Sequence, residues 1–388
     1  MSIINALLTG SELTFSKEEL DAEQEVVAQV IEDVPETPAE VEAVDAADAE
    51  EEAVEAADDK IEEADEAAED LDEVATSLES LVEFLALESG AMTAREVSMI
   101  HALANAHLQK AKIEPATMSF EEVVDNAATT DRETVKSGIG AKAKQLASAA
   151  WEAIKRIIAS IGEWFDKMFD GVQRTRGQLV GLAKALGQAG SARVDVKVPK
   201  KFAVAMDYEV PVLAKAAKAA THSVGDTLLV EATKAAKATE TFDLAGSFQE
   251  AAKAFGAVAL PGNPKISYAD GKISLAVNEE ELKVDEETNV SFEPRRAASE
   301  ISALISVCDQ LTTARKDWAR LSKEIKPANE EGVDGEVARF RRNAAREILS
   351  AYSATVKRFV SYALELIRMR AGAYAVCAKQ SAKAAAAA

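Results

Sequence analysis

The stretch AEVEAVDAADAEEEAVEAADDKIEEADEAAEDLDEVATSLESL, residues 39–81, decides how the chain is read. It lies within an acidic run from Glu32 to Glu88 that begins around Pro35 and Pro38. Residues 1–100 hold 31 acids and 3 bases, whereas the whole chain carries a net charge of −23. A strongly acidic front is therefore joined to a weakly basic body. A long block of like charge repels itself, stays solvated and behaves as a separable or interacting segment. Alanine loses no side-chain entropy on helix formation, so the same composition favours helix. Leu71, Val74, Leu78, Leu81 and Leu85 are spaced 3-4-3-4, a seam able to pair with another helix. The front is predicted to be a helical or disordered acidic arm, better ordered from about residue 70.

Working towards the N-terminus, Ile3, Ile4, Leu7, Leu8, Leu13 and Phe15 allow a short amphipathic docking helix. MSIINALLTGSELTF lacks the basic region of a secretory signal. No apolar run approaches the roughly 18–20 residues that span a bilayer. The two cysteines, Cys308 and Cys377, are far apart and form neither a disulfide framework nor a zinc pattern. These features predict a soluble, intracellular product.

Towards the C-terminus, Ser89-Gly90 ends the acidic helix, and Thr93 with Glu96 forms a capping box for a helix over 94–110. Its inward positions are Val97, Ile100, Leu103, Ala104 and Leu108. Ser119 repeats the capping signature. Gly138 and Gly140 read as the turn that starts the most amphipathic helix, 141–169. Ile157, Ile161, Trp164 and Phe165 lie on its apolar stripe, which predicts a packing face. A membrane-surface face is the lesser alternative, because the polar side mixes both signs of charge. A further helix is predicted over 172–189.

The period then changes. Val194, Val196 and Val198 alternate as a strand, and Phe202, Val204 and Met206 alternate again. Residues 211–255 return to helix, broken near Gly225 and Gly246. Asp270-Gly271 between alternating runs predicts a type I′ hairpin. Leu282, Val284, Val290 and Phe292 add one or two short strands. Two long helices, over 297–325 and 335–377, close the chain as a hairpin. The fold class is mainly α: long amphipathic helices, a small inserted β element and the acidic arm. Four segments follow: the removable arm 1–88, a helical unit 89–190, a mixed α/β segment 191–295 and a C-terminal helical hairpin 296–388.

No catalytic motif stands out, and no cofactor or metal is expected. His101 and His107 are six apart, which does not place them on one helix face as a zinc pair. Ser137–Lys142 lacks the full phosphate-loop spacing and has no strand leading into it. Arg339, Arg342 and Arg346 share one side of the last helix and are candidate phosphate contacts that would neutralise DNA without reading its sequence. The bland reading of this row is a solvated face with local ion pairs.

Several stretches taken together carry a resemblance. Thr76-Ser-Leu-Glu-Ser-Leu, the Leu-Glu-Ser-Gly junction at 87–90, TAREVSMIHALANAHL at 93–108, WEAIKRIIASIGEWFDKMF at 151–169 and a closing Tyr-rich helix follow one another. This order resembles the internal head proteins, or prohead core proteins, of large myovirus-type tailed bacteriophages. The resemblance implies a non-enzymatic structural protein, made in the host cytoplasm and packed inside the capsid with core and capsid proteins. It also implies trimming by a maturation protease that cuts after Glu in a small-or-apolar-x-Glu context. Ala86-Leu87-Glu88 before Ser89 fits that context. Ser77-Leu78-Glu79 is the runner-up, and Ile61-Glu62-Glu63 fits loosely. Cutting after Glu88 removes 30 acids and 2 bases and leaves 37 acids and 42 bases. The expected product is a weakly basic body compatible with packaged DNA. The rival expectation is a host-directed or membrane-active effector, delivered with the genome and acting through the Trp helix.

Overall fold

The computed structural model describes residues 45–87, 90–110, 129–188, 193–256, 258–278, 280, 287–325 and 335–387. The expectations for residues 1–15, the Ser119 cap and the strand at Leu282 and Val284 lie outside them.

The fold is mainly helical and is built on one antiparallel pair of helices. Helix α1 (Asp45–Ala86) lies along α3 (Arg132–Gln188), its main packing partner. Lys60 meets Glu163 at 3.2 Å near one end, and Val82 faces Gly140 near the other. α1 is helical well before residue 70, because alanines carry the seam where larger residues are absent. Ala57, Ala64, Ala68 and Ala75 are buried along with Val74, Leu78, Leu81 and Leu85. Small side chains let two backbones approach closely, and the four larger ones each contribute roughly 1.5–3 kcal/mol on burial. The acidic residues occupy most of the remaining circumference.

α3 is one helix of 57 residues. It runs through Gly138 and Gly140, which do not start it, and it joins the two helices expected on either side of residue 170. A mid-helix glycine costs only about 1 kcal/mol, which packing along the whole length overrides.

Between α1 and α3, β1 (Ala91–Thr93) pairs antiparallel with β2 (Thr129–Asp131), and α2 (Ala94–Lys110) begins directly after β1. The capping box is present: Glu96 Oε2 accepts from the Thr93 backbone N–H at 2.7 Å and from its hydroxyl at 2.8 Å. Thr93→Ala should therefore cost about 1 kcal/mol, read as a lowered denaturant midpoint. Val97, Ile100, Ala104 and Leu108 are buried as expected, but Leu103 is exposed. These residues, the second half of α1 and the start of α3 form a compact cluster of their own. A larger cluster holds the rest of the core, from Ala57 to Cys377, and α1 and α3 run through both.

β3 (Val194–Pro199) is the expected strand and pairs antiparallel with β6 (Glu287–Phe292), Val194 opposite Phe292. The alternation at Phe202, Val204 and Met206 is not a second strand but helix α4 (Lys200–Met206), which buries Phe202 and Ala205 three residues apart. A seven-residue segment offers too few positions to separate a period of 2 from one of 3.6. Helix α5 (Val210–Lys218), a π-helical turn (Ala219–Val224) and α6 (Gly225–Ala236) run on without a break at Gly225. The break expected near Gly246 is present, just before α7 (Ala245–Phe255). The hairpin of β4 (Lys265–Ala269) and β5 (Lys272–Ala276) turns at Asp270 and Gly271, with φ of 52° and 78°, as a type I′ turn requires.

α8 (Pro294–Glu324) packs chiefly on α3. The closing helix comes in two parts, α9 (Gly335–Tyr352) and α10 (Arg358–Ala387), joined by a second π-helical turn (Ser353–Lys357) that contacts the first.

Candidate functional site: an acidic helix seated on a basic row

α1 carries an aspartate every seventh residue: Asp58, Asp65 and Asp72. Seven residues are nearly two turns, so the three stay on one face and advance about 10 Å each time. That face lies against α9 and the second π-helical turn. Asp72 pairs with Arg342, Asp65 and Glu69 with Arg346, and Asp58 with Lys357. The Arg346 contacts are 3.1 Å from Nε to Asp65 and 2.8 Å from Nη2 to Glu69. The pairs run antiparallel. The 14 residues from Asp58 to Asp72 span about 21 Å and the 15 from Arg342 to Lys357 about 22 Å, so the two rows match in length.

Burial grades along the ladder. The Arg342 and Asp72 side chains are 1% and 5% exposed, and Arg346 is 17% exposed. Lys357 is buried, while its partner Asp58 is about half exposed. The Lys357 ammonium also lies 5.4 Å from the centre of the Trp164 ring. Burial pushes its pKa down from 10.5 to about 8. The half-exposed Asp58 carboxylate pulls the other way, but solvent screens it. Between about pH 8 and 10.5 the folded state therefore binds fewer protons at this site than the unfolded chain, so stability rises with pH across that window. Lys357→Met should flatten the rise, read as denaturant midpoints at pH 7.5 and pH 10.

This arrangement relocates the candidate phosphate contacts. Arg342 does not face solvent, and Arg346 is mostly covered, because α1 brings carboxylates to both; Arg339 is half-buried one turn before Arg342. Other cations of the closing helices are also turned inward. Arg341 donates to the Ala238 carbonyl. Arg370 is held in a buried knot with Glu300, Tyr374 and the Tyr208 carbonyl. Burial tends to raise the Glu300 pKa, but the Tyr374 hydroxyl and the Arg370 charge outweigh it and hold the carboxyl below its ordinary value.

The Trp-helix face is core. Ile157, Ile161, Trp164 and Phe165 are at most 3% exposed. Phe165 packs against Trp318 and Tyr352 at centroid distances of 6.2 and 6.0 Å. Among the described residues, no helix is long and apolar enough to cross a membrane. Burial pushes the thiols of Cys308 and Cys377 up to about 12, so neither is a ready thiolate.

The candidate cut sites differ in setting. Ala86 is the last residue of α1, Leu87 is 82% exposed in a turn, and Gly90 has a positive φ of 113°. Glu88 and Ser89 lie outside the described residues. Glu79 is inside α1 and half-buried, where helical backbone shields the bond that follows it.

A family model for phiKZ-like phage internal head proteins matches residues 46–387. The chain belongs to this family. No curated protein and no solved structure matches it. A phiKZ-like internal head protein is a structural component inside the virion head, associated with the components of the capsid. The match begins within the first turn of α1 and so includes all but the first residue of the acidic helix that seats on the basic row.

Proposed function

We propose that this internal head protein works by packing and charge rather than catalysis, and that the maturation protease cuts it after Glu88. The observation that carries this is a coincidence of position: the boundary between the acidic front and the weakly basic remainder falls just past the end of α1, beside the exposed turn residue Leu87. Exposed turns are preferred sites of proteolysis, and helix interiors are not. The cut makes separable a piece with 30 acids and 2 bases from one with 37 acids and 42 bases. Packaged DNA repels the first and tolerates the second. Arg342 and Arg346 become available to phosphate only when α1 is withdrawn from them.

Intact mass and N-terminal peptide mapping of the protein from mature particles test the reading. A new terminus at Ser89 is the expected result. A chain still beginning at Met1 would remove the processing and leave the front as a permanent acidic segment. DNA retention by the particle-derived protein should fall steeply with salt if the row has opened. A membrane-active role for the Trp helix would require α3 to leave the core, because Ile157, Ile161, Trp164 and Phe165 are buried in it.

A further inference from the structure

We infer that α1 stays seated on the body after the chain is cut between Leu87 and Gly90, leaving a two-piece protein whose basic row is still covered. The biological setting of this inference rests on the processing proposed above; the seat itself rests on geometry. Besides the covalent tether, α1 is held by a seat in two parts. Below the cut, Val74, Ala75, Leu78, Leu81 and Leu85 make up one side of the smaller core cluster, whose other sides are α2, β1 and the start of α3. That half of the seat is apolar and is not weakened by charge screening. Further along, Ala57, Ala64 and Ala68 belong to the larger cluster, and the aspartate ladder closes over Arg342, Arg346 and Lys357.

Withdrawal of α1 would expose the α3 face it covers and leave the buried Arg342 without its carboxylate. Neither change follows from cutting the chain after α1. Cleavage does turn a tethered contact into a bimolecular one and so removes the high effective concentration that the tether supplied. Cutting and the change of charge are therefore two steps. The first makes α1 separable, and the second waits for something that displaces it.

The test is made on the full chain, with residues 88–90 replaced by the recognition sequence of a site-specific protease. After complete cutting, size-exclusion chromatography and native mass spectrometry are run at about 0.15 M and about 1 M salt, the latter shrinking the screening length to about 3 Å. The expected result is one species holding both pieces at both salt concentrations, with no detectable free N-terminal piece. A free piece at low salt overturns the inference. Release at high salt alone overturns it too, because the ladder and not the apolar seam would then be the holder. Leu78→Asp in the same chain should release the piece once cut; if both pieces still co-migrate, the seam is not what holds α1. Failure here leaves the proposed processing standing, since that is read from particle-derived protein. An uncut chain in particles would leave this result standing in turn.

Discussion

Arg342→Ala should destabilise the protein by about 3–5 kcal/mol, and Asp72→Ala by a similar amount, because each leaves the other charge buried without its partner. The two side chains are 1% and 5% exposed, and they join helices 270 residues apart in sequence. The pair as a whole is worth far less than either single loss indicates. Taking two charges out of water costs nearly what their attraction returns, so Asp72→Leu with Arg342→Met should be neutral or stabilising by about 1–4 kcal/mol. Denaturant midpoints for the two single variants and the double variant close the cycle. Single losses below about 1 kcal/mol, the range of solvent-exposed pairs, would mean that water reaches the pair and that α1 lies loosely on α9. Arg346→Ala should cost less than Arg342→Ala, since its partners Asp65 and Glu69 are 36% and 66% exposed.

The long helices were legible in the sequence because their signals are local. The Thr93–Glu96 box, the stripe through Ile157 and Trp164 and the Asp270-Gly271 turn each need only a few neighbouring residues. Short segments and lone glycines misled locally, as at Phe202–Met206 and Gly138–Gly140; the larger differences depended on distance. The acidic stretch reads as a solvated arm because Asp, Glu and Ala offer no visible core, yet its alanines pack against a helix that begins at Arg132. The arginine row reads as a solvated face with local ion pairs or as a phosphate surface, because its partners lie far upstream. One local signal did hold the answer: an apolar or small residue followed by Asp recurs every seven residues at Ala57-Asp58, Ala64-Asp65 and Leu71-Asp72. A self-repelling solvated helix has no need to repeat its acids in phase with its small residues. A helix that must bury one edge and salt-bridge along the next does.

The ladder also changes what the charge asymmetry means. Residues 56–87 hold 12 acids and 1 base, and the ladder engages Asp58, Asp65, Glu69 and Asp72 among them. Asp59, Glu62, Glu63, Glu66, Asp70 and Glu83 are exposed and keep the outer side of α1 negative. The front is therefore neutralised where it touches the body and charged where it faces outwards, which suits a helix that holds its own body while repelling nucleic acid.

Trp164→Glu should abolish the fold, and in doing so it separates a packing role for the Trp helix from a membrane role. Trp164 is fully buried, meets Phe165 edge-on at 4.9 Å and carries the Lys357 ammonium over its ring. Truncation to alanine should cost about 3–5 kcal/mol through the cavity left behind. A carboxylate at this position adds the desolvation of a charge. Lys357 is close enough to offset part of that, but not the lost packing. Trp164→Phe should be the mildest of the three, because the indole N–H has no hydrogen-bond acceptor among the described residues and its removal sacrifices no bond. Stability should thus fall in the order Phe, Ala, Glu, followed by near-UV circular dichroism and thermal melts of the full chain. A membrane-contacting face gives the opposite pattern: Trp164→Glu would remain folded with an unchanged melt and lose only its activity on vesicles. Near-native stability for that variant would therefore take Trp164 out of the core.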